Sequence, residues 1–236
     1  MVTGSAAPPG VAPPPLPETT TRVRPGPGRT GVARGTGPHV SGGIVSGPAV
    51  GLWLHRPRAF EDVLADMVPW LETFCEPVEI EAGGGLALRV RDASPLGLRD
   101  FDPGNAGGFF LSEDECLPAE DEDYSAFSTP PVKGLILSAG CSGRENHLLL
   151  GHLALAMARR LGSPVDFDGV LGYPVPRDDT GDGTDLARAR ALVASLPGKV
   201  AEVSYDTGGA GRWFRHVGDV EFLAAWLRHP DFHLVT

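Results

Sequence analysis

The chain has 236 residues, of which 42% are hydrophobic, and a formal charge of −10 at neutral pH. This apolar content excludes a wholly disordered chain. The acidic balance argues against a general nucleic-acid or anionic-membrane binder, because those surfaces are themselves negative. Three cysteines without a C-x-x-C pair indicate neither a disulfide scaffold nor a zinc site. No apolar run is long enough to span a bilayer. We therefore expect a cytoplasmic protein with no metal and no cofactor.

The first 47 residues differ in composition from the rest of the chain. They contain 10 Gly and 9 Pro, and no Phe, Trp or Tyr. Such a segment cannot bury enough apolar surface to offset the entropy of ordering it. Its four Arg and one Glu give it a charge of +3, which leaves −13 on residues 48–236. The sequence thus predicts a disordered Pro/Gly-rich tail at 1–47 and a single globular domain at 48–236.

Hydrophobic periodicity divides residues 48–236 into strands and helices. In chain order, the predicted elements are a strand at 50–54, a helix at 60–74, a hairpin of 78–80 and 86–90, strands at 109–111 and 132–138, a helix ending at 161, a strand at 165–171, a helix at 185–196, a hairpin of 199–206 and 213–217, and a helix at 220–227. Hairpins between neighbouring strands do not build a doubly wound parallel sheet. The pattern favours an α+β domain, with about four helices packed against a mixed, mostly antiparallel sheet.

Several helix ends carry recognisable signals. Ser142-Gly143-Arg144-Glu145 matches the S-x-x-E capping box. Gly162 is placed to end the same helix, and Asp219 to cap the last one. The acidic stretch 178–185 resembles a calcium loop, but its twelfth position is Ala189 where a bidentate Glu belongs. We therefore predict a turn leading into a helix there.

Two short acidic runs at 113–115 and 120–123 are the strongest functional signal. Clustered carboxylates steer a positively charged protein and confer specificity, and Tyr124 and Phe127 could supply a buried anchor. A solvated loop without a partner is the alternative. The predicted binding residues for a basic partner protein are Glu113, Asp114, Glu115, Glu120, Asp121, Glu122, Asp123 and Tyr124.

A second candidate site lies around the start of the central helix. Cys141 follows a strand and precedes the helix, where the thiol pKa can be lowered, and His147 or His152 could act as its base. Two residues apart on a predicted strand, Asp166 and Asp168 would share one face and could hold a ligand. A structural turn and a solvated strand face are the respective alternatives. The candidate ligand residues are Cys141, Ser142, His147, Asp166 and Asp168.

Three stretches carry a resemblance: Cys141 to His147 (CSGRENH), Leu161 to Gly169 (LGSPVDFDG) and Phe222 to Val235 (FLAAWLRHPDFHLV). Together they resemble a family of small uncharacterised actinomycete proteins, a domain of unknown function, over about 48–236. The resemblance implies no catalytic residue. More loosely, an acidic α+β protein without a catalytic motif is similar in style to bacterial toxin-immunity proteins.

Three hypotheses follow. The preferred one is an acidic protein-binding domain that neutralises a basic toxin or binds another basic partner, and that binds neither nucleic acid nor membrane. The second is an enzyme or small-ligand protein with its site at Cys141. The third is a purely structural or oligomeric module.

Overall fold

A computed structural model of the protein describes residues 47–172, 184–206 and 211–235. Within these ranges the order of elements is β-α-β-β-β-β-α-β-α-β-β-α, as predicted. The strands are β1 (Ala49–Leu54), β2 (Glu79–Ile80), β3 (Leu86–Leu88), β4 (Phe109–Asp114), β5 (Lys133–Ala139), β6 (Val165–Asp166), β7 (Val200–Asp206) and β8 (Arg212–Gly218). The helices are α1 (Phe60–Leu71), α2 (Arg144–Leu161), α3 (Thr184–Ser195) and α4 (Val220–Trp226).

The strands form one sheet in the order β2-β3-β4-β5-β1-β6-β8-β7. Every neighbouring pair is antiparallel. The first described strand, β1, therefore lies near the middle, between β5 and β6, while β2 and β7 form the two edges. The predicted α+β class is confirmed, and the sheet is antiparallel throughout.

One face of the sheet carries the helices and the main core. Val50, Leu52 and Leu54 alternate along β1 and are buried in this core. The predicted stripe of α1, which includes Val63 and Met67, is fully buried against the same face. The main core therefore follows directly from the period of two in β1 and the helical period in α1.

Part of the other face is covered by the stretch from 115 to 131, which we call the crossing segment. It leaves β4 and reaches the far edge of the sheet, where the Asp123 N–H donates to the Ser204 carbonyl of β7 at 3.0 Å. It then returns to β5. Leu117, Tyr124 and Phe127 of this segment pack in a second cluster that contains Trp53 of β1. A loop that sequence alone places in solvent thus forms a layer of the fold.

Two local predictions are wrong. The strand predicted at 165–171 pairs as β6 only at Val165–Asp166, because the Asp166 Oδ1 accepts the Asp168 N–H at 2.9 Å and turns the chain. Asp168 then adopts a φ of +54°, a conformation that Asp tolerates better than most residues. As a result Asp166 is buried while Asp168 is exposed, and the two do not share a strand face.

The capping box is the second error. Gly143, not Ser142, is the N-cap residue of α2. The signals at Gly162, which ends α2 with a φ of +66°, and at Asp219, which accepts the Phe222 N–H, are confirmed. Tail residues 1–46, most of the calcium-like stretch (178–183) and residues 207–210 at the second hairpin lie outside the described residues. None of the helices in the described ranges has the length and apolar character needed to cross a membrane.

Candidate functional site

A buried ion network joins the crossing segment to the sheet. Arg215 of β8 lies between Glu122 of the crossing segment and Asp166 of β6. The exposed fractions of these side chains are 2%, 3% and 8% respectively. Tyr124 extends the network, since its hydroxyl donates to the Glu122 Oε2 at 2.6 Å and accepts the Ala119 N–H. Two carboxylates and one guanidinium are therefore enclosed beneath the crossing segment.

The sheet leaves space for this network at Gly51. A Cβ at this position would lie 3.0 Å from the Asp166 Cβ and 3.5 Å from the Trp53 Nε1. The Arg215 guanidinium lies 5.5 Å from the centre of the Trp53 ring, within the range of a cation–π contact. The Arg215 Nε is 3.0 Å from the Asp166 Oδ2. This distance is close enough for an ion pair, but the two groups lack the alignment of a hydrogen bond.

Burial decides the ionisation of the network. It raises the pKa of Asp166 to about 7, and Arg215 offsets part of the effect of burial. One guanidinium cannot fully compensate two enclosed carboxylates, so a proton on Asp166 makes the network electrically neutral. Burial and the hydrogen bond to Glu122 likewise raise the pKa of the Tyr124 hydroxyl. The network therefore anchors the crossing segment and offers no open site for a ligand.

The two predicted acidic runs lie at different strands of the sheet, far from each other. Glu113 and Asp114 lie in β4 and Glu115 follows it, whereas Glu122 lies over β8. Four strand spacings of about 4.8 Å separate β4 from β8, or about 19 Å. Glu120, Asp121 and Asp123 are exposed near the β7 edge. The 120–123 run is thus remote from the acids of β4, and Glu122 is enclosed.

Residues of the Cys141 site are also dispersed. Cys141 and Ser142 are exposed, and the Ser142 carbonyl accepts a hydrogen bond from the buried Asn146 side chain. The His147 Nδ1 accepts the Leu234 N–H at 3.0 Å, and burial together with the nearby His233 lowers the His147 pKa.

Neither aspartate joins that group. Asp166 lies on the face of the sheet opposite α2, beside Trp53. Asp168 is exposed beyond the end of β6. His152, the alternative base, has its Nδ1 at 2.9 Å from the Leu96 carbonyl.

An open groove lies on the helix side, between α1, β2 with the turn at 83–85, and the end of β4. Its volume is about 700 Å³. Phe60, Leu64 and Val68 of α1 contribute an apolar floor, and Ile80 of β2 lines it with 70% of its surface exposed. The apolar floor and the exposed Ile80 make the groove an apolar depression that a partner can cover.

The rim of the groove is acidic. Glu61, Glu113 and Glu115 line it, and none of its lining residues in the described part of the chain is Lys or Arg. Glu113 is paired with Lys133 at 2.6 Å, which leaves Glu61 and Glu115 as the exposed rim carboxylates. Sequence reasoning identified Glu113 and Glu115 but missed Glu61 and Ile80, because the groove forms only when α1 and the hairpin come together.

No group of three or more His, Cys, Asp or Glu side chains among the described residues is arranged to hold a metal ion.

Comparison with known proteins identifies a family for this chain. A family model described as "Family of unknown function (DUF6368)" matches residues 46–236. The chain belongs to this family. The expectation of an uncharacterised domain family is therefore confirmed, and the match begins two residues before the predicted domain boundary at 48. No curated protein and no solved structure matches the chain.

Proposed function

We propose that this domain binds a basic, amphipathic segment of another protein in the groove between α1 and the β2–β3 hairpin. We further propose that it does so in the cytoplasm, as an immunity-type protein that neutralises a basic toxin. The observation that carries the proposal is the combination of an apolar floor with an acidic rim in one groove.

The floor supplies affinity. Phe60 and Leu64 are mostly covered already, so the main gain on binding comes from Ile80 and Val68. Covering the exposed part of one such side chain contributes about 1–2 kcal/mol. An anchor of this kind, surrounded by contacts that exclude water, has the character of a binding hot spot.

The rim supplies rate and specificity. Glu61 and Glu115 border the groove, and Glu79 and Glu81 flank Ile80 on the hairpin. A partner with Lys or Arg beside its apolar anchors would pair with these carboxylates. The overall charge of −10 adds long-range attraction, which raises the association rate and weakens as salt is added.

The second acidic run contributes at a distance. Glu120, Asp121 and Asp123 are exposed but lie near the opposite edge of the sheet. Hydrogen bonds from Ser125 lower the pKa of Asp123, which is therefore negatively charged at neutral pH. In this proposal these residues affect the association rate alone and do not touch the bound segment.

The test is affinity capture of a partner by the full chain, at low salt and at about 0.5 M salt, where surface attraction is largely screened. Two groove variants, Ile80→Asp and Glu115→Lys, are each compared with a matched control. The controls are Val132→Asp, another exposed apolar residue at 43% exposure, and Glu120→Lys in the remote acidic run.

We expect one basic protein to be enriched at low salt and to be lost from both groove variants. Both controls should retain it, with a slower association rate for Glu120→Lys. If Val132→Asp abolishes capture while Ile80→Asp retains it, the groove is not the binding site. Capture that is unchanged at high salt would contradict the role of the acidic rim.

A further inference from the structure

A second cavity has the opposite charge. It lies where the end of β1, the returning part of the crossing segment and the C-terminus of α2 meet, and its volume is about 780 Å³. Arg56 and Arg58 line it from the turn after β1, and Arg159 and Arg160 from the last turn of α2. None of its lining residues within the described ranges is Asp or Glu. Four arginines thus line one cavity of a protein whose net charge is −10.

Two of these arginines have structural partners. Arg58 forms an ion pair with Asp66 of α1. Arg160 donates to the Asp66 backbone carbonyl at 3.2 Å and lies 5.6 Å from the centre of the Trp70 ring. These contacts hold Arg58 and Arg160 at the wall of the cavity.

The other two are free to bind an anion. Arg56 and Arg159 are exposed and form no ion pair with any residue in the described part of the chain. The helix dipole favours a cation at the C-terminus of a helix, which partly explains why an arginine is found at position 159. The dipole does not explain Arg56, which lies in the turn after β1 and lines the same cavity.

A histidine in the wall has an unpartnered nitrogen. The Nδ1 of His55 is buried and has no hydrogen-bond partner among the described residues. The His55 ring lies 6.5 Å from the Phe127 ring, and both line the cavity. Buried polar atoms in folded proteins are normally hydrogen-bonded, so this enclosed nitrogen is an unsatisfied polar atom next to the cavity.

We propose that this cavity binds a small phosphorylated ligand of the nucleotide class. Arginine matches the geometry of phosphate oxygens with paired N–H donors, and Arg56 and Arg159 have theirs available. The His55 and Phe127 rings in the cavity wall offer a surface on which a base can stack. The volume is within the range of small-molecule sites. A long nucleic acid is disfavoured, because its many phosphates would meet the negative surface outside the cavity.

This proposal is independent of the protein-binding groove and of the predicted Cys141 site. Calorimetry on the full chain in about 50 mM NaCl tests it with four probes: inorganic phosphate, pyrophosphate, adenosine and adenosine 5′-monophosphate. The variant is Arg56→Ala/Arg159→Ala. Its control is Arg89→Ala/Arg188→Ala, which removes the same charge from two exposed arginines outside the cavity.

We expect adenosine 5′-monophosphate to bind about tenfold more tightly than either phosphate or adenosine. The cavity variant should weaken that binding by at least about tenfold, as the loss of charge-assisted hydrogen bonds implies, and the control by less than about twofold. No binding of any phosphorylated probe up to about 10 mM would overturn the proposal. Equal weakening in the two double variants would also overturn it, because the effect would then come from net charge. If the nucleotide bound no more tightly than phosphate, the nucleotide assignment would be wrong.

Discussion

Replacing Arg215 by Met removes the single cation of the buried network and leaves Glu122 and Asp166 enclosed together. The three side chains are between 2% and 8% exposed, so solvent cannot replace the lost guanidinium. Removing one partner from a buried ion pair costs about 3–5 kcal/mol, whereas exposed pairs contribute little. For a domain of this size that loss lowers the melting temperature by roughly 6–20 °C. We expect this loss at pH 7.5, and a smaller one at pH 5, where Asp166 is protonated.

Urea unfolding followed by circular dichroism measures the free energy of unfolding directly. The matched control is Arg190→Met, because Arg190 forms a two-point ion pair with Glu202 in which both side chains are well exposed. Arg190→Met should lower the free energy of unfolding far less than Arg215→Met does. Adding Asp166→Asn to Arg215→Met should restore part of the stability, which a double-mutant cycle resolves. A loss below about 1 kcal/mol for Arg215→Met at pH 7.5 would refute the reasoning, because the buried carboxylates would then not require their cation.

Three other predictions concern single sites. Because the pKa of Asp166 is raised to about 7, its protonated form stabilises the fold at low pH and that contribution is lost as the pH rises from about 4 to 7; Asp166→Asn should therefore gain stability relative to wild type between pH 5 and 8 in urea titrations, and a relative loss would contradict it. Asn146→Ala should cost about 1–3 kcal/mol in the same assay, since its buried amide accepts the Gly107 N–H and donates to the Ser142 carbonyl; an unchanged urea midpoint would refute it. Iodoacetamide should leave Cys75 unlabelled in the native protein, because burial raises its pKa to about 12, while Cys116 and Cys141 react at similar rates; much faster labelling of Cys141 would favour the alternative site.

The order of elements could be predicted because it depends on local periodicity. The alternation in β1, the stripe of α1 and the glycine that ends α2 are each visible within a few residues, and each is present in the fold. The end of β6 could not be predicted, because the strand stops where the Asp166 side chain bonds to the backbone two residues later. Such side-chain hydrogen bonds compete with the strand ladder without changing the hydrophobic pattern.

Most of the candidate site depends on contacts between distant segments. Glu122 has the same local composition as its exposed neighbours, and only its distant partner Arg215 distinguishes it. The one signal available in sequence was an arginine inside the apolar strand Trp213–Val217, which requires a buried carboxylate. Ile80 was predicted as part of an ordinary hairpin, yet it lies on a two-residue edge strand and stays exposed.

The most direct test of the proposed groove is hydrogen–deuterium exchange of the full chain, alone and bound to its captured basic partner. Protein-binding segments gain protection when a partner covers their backbone. The account predicts that the added protection lies in α1, in residues 79–85 of the β2–β3 hairpin and in residues 112–115 of β4 and the turn that follows it. Protection centred on residues 119–124 near the β7 edge, with α1 and the hairpin unchanged, would contradict it.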